Sequence, residues 1–216
     1  MNKYDLVLFD LDGTIANSDE MVVRSFQELY RLYGDGRELT REECYYFSGP
    51  TLDKSFAKLF PNGDFDLLFK EFYRISKPLY EEVIVPYPHS KEVLLDFKKR
   101  GIKLGIITNK KHDMSVYCLQ IIGLLDLFDI VVGYEDVKER KPAPDGILLA
   151  MDKFHIKDKS RVLYVGDNPS DIETGHNADV DMCFTAWGPR KFNLSLLPKY
   201  TIYDYLELKE IVIDEN

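Results

Sequence analysis

The sequence predicts an α/β fold: a Rossmann-like, doubly wound parallel sheet interrupted after its first strand by an all-helical insertion. Three observations carry that expectation. Short apolar runs recur without polar alternation, helix-length amphipathic segments separate them, and residues 18–82 hold helical patterns alone. Runs that are apolar on both faces suit central strands covered by helices on either side. Strands that alternate with helices give right-handed crossovers and a parallel sheet.

In chain order, the first strand is Leu6-Val7-Leu8-Phe9. The helical block follows, with patterns over Met21 to Tyr33, Thr40 to Phe47, Leu52 to Phe60 and Phe65 to Lys77. Phe26, Leu29, Tyr30 and Tyr33 recur at helical spacing and read as one buried stripe. Val85-Pro86-Tyr87-Pro88 marks the return, because proline cannot continue a helix and stiffens a linker. The chain is therefore expected to divide into an α/β core, residues 1–17 and 83–216, and a small inserted helical domain, residues 18–82. Three more strands, Leu104 to Ile107, Ile130 to Val132 and Val162 to Val165, alternate with helices over His89 to Arg100, Asp113 to Leu124 and Asp145 to Phe154. Gly101 and Gly123 stand where C-terminal caps belong. Met182-Cys183-Phe184 is a weaker fifth strand.

The 216 residues are 45% hydrophobic and 30% charged, enough to bury one large domain with a modest insertion. A net charge of -9 argues against a nucleic-acid surface, which needs clustered Lys and Arg. Any phosphate-handling site in so acidic a chain needs a local cation. Cys44, Cys118 and Cys183 form no CxxC pair, so neither disulfides nor zinc are expected. The N-terminal apolar stretch is too short for a signal peptide, and no run approaches the ~20 residues of a membrane span. A cytoplasmic monomer or homodimer is expected, with no membrane partner.

The residues that carry chemistry follow strands. Asp10-Leu11-Asp12-Gly13-Thr14 comes directly after the first, at the carboxyl edge where open parallel sheets bind ligands. Residues i and i+2 of an extended chain point the same way, so both carboxylates can face one reacting group. Taken alone, this is equally well an acidic loop. The second strand ends in Ile107-Thr108-Asn109, Arg140-Lys141-Pro142 follows the third, and the fourth ends in Gly166-Asp167-Asn168-Pro169-Ser170-Asp171. Acidic clusters brought to one rim repel unless a cation lies between them, and all-oxygen ligands suit Mg2+. Individually, Thr108 could simply end a strand, Lys141 could be a solvated cation, and Asp171 could sit at a helix start for the dipole's sake. His89, His112, His155 and His176 are dispersed and read as surface or capping residues.

As a set, Asp10-x-Asp12-x-Thr14, Thr108, Lys141 and Asp167-x-x-x-Asp171 resemble the four motifs of haloacid dehalogenase-like phosphatases, with the helical block where that superfamily carries a small cap. The resemblance implies a Mg2+-dependent phosphatase in which Asp10 attacks phosphorus and Asp12 serves as acid and then base. It implies Mg2+ held by Asp10, the Asp12 carbonyl and Asp167, with Asp171 ordering that shell. Thr108, Asn109, Lys141 and the N–H groups of Leu11 and Asp12 would hold the phosphoryl oxygens. The turn Ser48-Gly49-Pro50-Thr51 resembles the cap loop of the phosphoglycolate phosphatase-like branch and would set specificity. With no aromatic or long cationic residue in that turn, the expected substrate is a small phosphorylated metabolite: phosphoglycolate-like, pyrophosphate or a sugar phosphate. Thr174-Gly175-His176-Asn177-Ala178-Asp179 lacks the second glycine usual after the last motif, which weakens assignment to one branch. A sugar phosphomutase and a receiver-like signalling module stay open as alternatives.

Overall fold

The computed structural model describes residues 2–47 and 51–213. In chain order the elements are β1 (Leu6–Phe9), β2 (Ala16–Asn17), α1 (Asp19–Tyr33), α2 (Arg41–Tyr45), α3 (Leu52–Leu59), α4 (Phe65–Val83), β3 (Val85–Pro86), α5 (Ser90–Lys99), β4 (Lys103–Ile107), α6 (His112–Ile121), β5 (Ile130–Val132), α7 (Asp145–Lys153), β6 (Val162–Gly166), α8 (Pro169–Ala178), β7 (Asp181–Thr185), β8 (Tyr200–Ile202) and α9 (Tyr205–Val212). Six of the strands form a parallel sheet in the order β5-β4-β1-β6-β7-β8.

β1 lies at the centre of this order. Leu8 faces Gly105 of β4 on one side and Tyr164 of β6 on the other. Every residue of β1 and β6 is buried, as strands covered on both faces require. From β1 the chain builds β4 and β5 outward on one side and β6, β7 and β8 on the other. The reversal leaves a crevice at the carboxyl ends of β1, β4 and β6, where loops on either side part.

Only helices lie between β2 and β3, among the described residues, and these two short strands pair antiparallel, Ala16 with Pro86 and Asn17 with Val85. The helical layer is built on aromatic rings. Phe26 of α1 packs 4.7 Å from Phe47 and 5.1 Å from Phe72, centre to centre. Phe56 of α3 is fully buried against Phe26, Phe60, Phe65, Phe69 and Phe72. Thr40 and Glu43 form a reciprocal capping box that starts α2.

Four details differ from the sequence reading. Tyr33 is 40% exposed instead of buried, because the last three residues of α1 outrun the packed face. α4 continues through Pro78 to Val83 instead of stopping at Lys77. Pro78 costs the helix about 3 kcal/mol, but Leu79 and Tyr80 beyond it are buried and hold the last turn in place. Val85 and Pro86, read as plain linker, form the β3 ladder. β8 and α9, absent from the reading, complete the sheet edge. The left-handed conformations at Gly101 and Gly123 match their expected capping places. The three cysteines are buried and unpaired, and no described helix is long and apolar enough to cross a membrane.

Truncating Phe56 removes the hub of the ring cluster. Phe56→Ala is expected to lower unfolding stability by about 3–5 kcal/mol, read as a reduced urea midpoint.

Candidate active site

The loop after β1 is fixed from several sides. The Asp10 N–H donates to the Val165 carbonyl at 2.8 Å, which ties the loop to the end of β6. The Leu11 carbonyl accepts from the N–H groups of Ile15 and Ala16, both at 2.9 Å, and curls the chain back. Gly13 has φ +88°, and a Cβ there would collide with the Asp167 carboxylate and Arg190, so both conformation and space demand glycine. Two aromatic side chains clamp the outside: Trp187 Nε1 donates to the Gly13 carbonyl at 3.0 Å, and the Tyr205 hydroxyl donates to the Thr14 carbonyl at 2.7 Å. The Trp187 ring stacks between Tyr87 and Tyr205, at 5.2 and 4.9 Å.

Inside the loop lies a buried charge cluster. Lys141 Nζ donates to Asp10 Oδ1 and Asp171 Oδ1, each at 2.7 Å, and lies 3.1 Å from the Tyr164 hydroxyl. Asp171 Oδ2 accepts the Asn168 N–H at 3.0 Å, so both its oxygens are engaged. Burial works against the Lys141 ammonium, but Asp10 and Asp171 outweigh it and hold its pKa well above the usual lysine range. Burial pushes the Asp10 carboxyl up to about 6 against the pull of Lys141. It pushes Asp167 up to about 7 against the pull of Arg190. Asp167 accepts from Thr14 Oγ1 at 3.1 Å and from Arg190 Nη2 at 2.5 Å.

Carboxylate oxygens of Asp10, Asp167 and Asp171 come within 4.8 Å of one another, all buried. Crowded hard oxygen donors whose ionisation is disfavoured by burial are what a divalent cation of the Mg2+ class would satisfy, so the donor set fits. Asp171 holds Lys141 and the Asn168 N–H and Asp167 holds Thr14 and Arg190, so of the three only Asp10 keeps an oxygen, Oδ2, outside these bonds.

The other sequence-derived candidates face one cavity of about 450 Å³ between the sheet rim and the helical layer. Asp12, Thr108, Asn109 and Lys141 line its floor beside Asp10. The Thr108 hydroxyl accepts the Lys110 N–H at 3.2 Å, and Asn109 Nδ2 donates to the Lys141 carbonyl at 3.3 Å, bracing that loop. Leu11 is fully buried and its side chain does not line the cavity. Thr51 lines the opposite wall, and its hydroxyl is buried without a hydrogen-bond partner. Ser48, Gly49 and Pro50 lie outside the described residues.

Several lining residues carry no motif. Lys110 Nζ meets both Asp12 oxygens at 2.9 and 2.8 Å, and lies 4.8 Å from the Tyr80 ring centre. Lys111 sits 5.7 Å from the Tyr73 ring and Arg140 4.3 Å from that of Tyr134. Rings and cations absent from the 48–51 turn thus reach the cavity from α4 and from the loops after β4 and β5. Lys110 was findable as the second residue after Thr108. Arg190 had no signal beyond a Trp-Gly-Pro-Arg loop after a weak strand.

Two outcomes follow from this burial. Lys141→Met leaves Asp10 and Asp171 buried without their shared cation and is expected to destabilise the fold by about 3–5 kcal/mol in urea titrations. The metal-free protein is expected to lose stability as pH rises from about 5 to about 7. Asp10 and Asp167 titrate at 3.8 when exposed but at about 6 and about 7 here. Through that window the folded state therefore holds protons that the unfolded chain has released. Urea midpoints in chelator across this range, compared with midpoints in saturating Mg2+, check both the slope and its suppression by the cation.

The sequence pattern of the haloacid dehalogenase-like hydrolases matches residues 7–185. Pyrophosphatase PpaX of Listeria monocytogenes is 31% identical over 218 aligned residues, covering 99% of each chain. The PpaX of Bacillus pumilus is 34% identical over 182, covering 84% of this chain and 82% of its own. Among solved structures, a haloacid dehalogenase-like hydrolase from Bacteroides fragilis superposes with a TM-score of 0.86 at 29% identity, over 95% of this chain and 100% of that one. A protein from Haemophilus somnus, described as a phosphoglycolate phosphatase, shares the fold at TM-score 0.83 and 24% identity, over 98% and 99%. With a family pattern that runs from β1 to β7 and takes in every strand-end cluster, and relatives aligned nearly end to end, the chain belongs to the haloacid dehalogenase-like hydrolase family.

Proposed function

We propose that this chain is a Mg2+-dependent phosphatase that hydrolyses a small phosphorylated metabolite through an aspartyl-phosphate on Asp10. The observation that carries the reading is the Asp10 carboxylate itself. It sits at the floor of a closed-in cavity, with one oxygen held by Lys141 and with Asp12 and Thr108 beside it.

In this reading Lys141 steers Asp10 Oδ1, which leaves Oδ2 to bond phosphorus. Thr108 and the backbone of the 10–14 loop face the transferring oxygens, where charge develops. Asp12 delivers a proton to the leaving oxygen and later takes one from water, which requires its ion pair with Lys110 to open, since a carboxylate paired with an ammonium is a poor proton donor. Mg2+, held by Asp10, the Asp12 carbonyl and Asp167, would neutralise charge on the phosphoryl group. Asp171 acts through Lys141 and the start of α8. Residues 18–82 serve as the cap over the core, and Thr51 offers its unpaired hydroxyl to the substrate.

Tyr73, Phe72 and Phe69 give the cavity an apolar wall, and Lys111 and Arg140 give it positive charge away from Asp10. That combination suits an organic phosphate with a second anionic or polar end, such as a phosphoglycolate-like or sugar phosphate. Pyrophosphate is the second reading, favoured by the names of the relatives.

Asp10→Asn is expected to reduce phosphate release roughly a thousandfold or more while the far-ultraviolet circular dichroism stays unchanged. Activity should vanish in chelator, return with Mg2+ and be inhibited by Ca2+, whose longer, more numerous bonds would engage both Asp10 oxygens. Undiminished turnover by the folded variant sinks the covalent mechanism. The kcat/KM values for pyrophosphate, phosphoglycolate and a sugar phosphate, with an aryl phosphate as reference, separate the substrate readings; stoichiometric labelling without turnover would point to a receiver.

A further inference from the structure

Arg190 enters the site from the loop after β7, far from the four motif clusters. Its side chain is 2% exposed. Nη2 lies 2.5 Å from Asp167 Oδ2 and 3.8 Å from Asp19 Oδ1. Gly13 makes the approach possible, since any Cβ there would strike both Arg190 and Asp167. Asp19 is the first residue of α1, directly after the β2 crossing. Its Oδ1 is buried and has no hydrogen-bond partner. A single guanidinium therefore stands between a core carboxylate that is already bonded and a carboxylate at the entrance to the helical layer that is not.

We propose that Arg190 is a positioning residue that takes the place of the divalent cation at Asp167 and turns to Asp19 when that cation binds. Without a cation, Asp167 would face Asp10 and Asp171 in a buried rim with no charge of opposite sign against it. Arg190 supplies that charge and, with Thr14 on Oδ1, fixes the carboxylate's orientation. A guanidinium cannot shed its proton in a protein, so beside a bound divalent ion it has to move. Asp19 Oδ1, which lacks a hydrogen bond, lies 3.8 Å away, just outside hydrogen-bond reach. Two consequences separate this role from simple packing. Arg190 must weaken cation binding, since it competes for Asp167, and Asp19 must strengthen it, since it receives the displaced side chain. The inference rests on Asp167 being a cation ligand.

The test uses chelator-stripped full-length protein titrated with Mg2+ by calorimetry, and with Mn2+ followed through the paramagnetic resonance of the free ion. Arg190→Met is expected to bind either ion about tenfold more tightly than wild type, as removal of a buried like charge a few ångströms away implies. Its metal-free Tm should fall by about 5 °C or more, and its gain on Mg2+ saturation should exceed that of wild type. Arg190→Lys should lie between the two. Asp19→Asn should bind about threefold more weakly, the opposite sign. If Arg190→Met does not fold, Arg190→Gln carries the same expectation. Unchanged or weaker affinity in the Arg190 variants overturns the competition, and unchanged or tighter affinity in Asp19→Asn overturns the transfer. Asp167→Asn is the reference: if wild type binds the ions no better than this variant, the assignment of Asp167 as a ligand fails instead.

Discussion

One buried ammonium decides how the rest of the site can be arranged. Lys141 donates to Asp10 and Asp171 at equal distance and touches Tyr164, so it joins the ends of β1 and β6 to the loop that follows β5. The ammonium and the carboxylate groups it bonds offset one another's burial, and removing one partner leaves a buried charge uncompensated. Such a cluster is a poor source of net stability, because desolvation offsets most of the attraction. It does select geometry: Asp10 can occupy few positions other than the one that serves Lys141.

The surrounding structure carries that geometry outward. Tyr164 spans two partners, the Ile107 carbonyl at 3.2 Å and Asp171 Oδ1 at 3.0 Å, and so couples β4 to the start of α8. Asn109 braces the Lys141 loop from the β4 side. On the outer face, Trp187 and Tyr205 hold the carbonyls of Gly13 and Thr14. The Asp10–Thr14 loop is thus gripped between polar partners within and aromatic partners without, around a turn that only Gly13 permits.

The sheet and the placing of the residues at its rim were largely legible in the sequence because both depend on local pattern. A central strand must be apolar on both faces, and a parallel sheet must present its ligands at strand ends. Asp10, Thr108 and Asp167 therefore stand where the runs stop, and Lys141 lies in the loop after β5. What escaped depends on tertiary packing. The final turn of α4 survives Pro78 only because Leu79 and Tyr80 find buried positions. Tyr33 keeps the helical spacing of Phe26 yet lies beyond the packed face of α1. Lys110 and Arg190 are ordinary surface types in the sequence; their partners, Asp12 and Asp167, lie 98 and 23 residues away. The 48–51 turn was weighed by its own residues, whereas the cavity that Thr51 lines also takes rings from α4. The edge strand β8 is three residues long, too short to leave a periodic signal.

The aromatic grip on the Asp10–Thr14 loop also orders events in time. The chain is made from its amino end, and β1 with its acidic pair emerges first. The groups that fix this loop from outside, Trp187 and the hydroxyl of Tyr205, are synthesised more than 170 residues later. Until they arrive, Asp10 belongs to a nascent chain in which the outer contacts of its turn are missing. The full set of contacts around this loop is therefore completed late in biosynthesis, and a ribosome-bound fragment that ends soon after Asp171 holds every motif without the Trp187 and Tyr205 clamps.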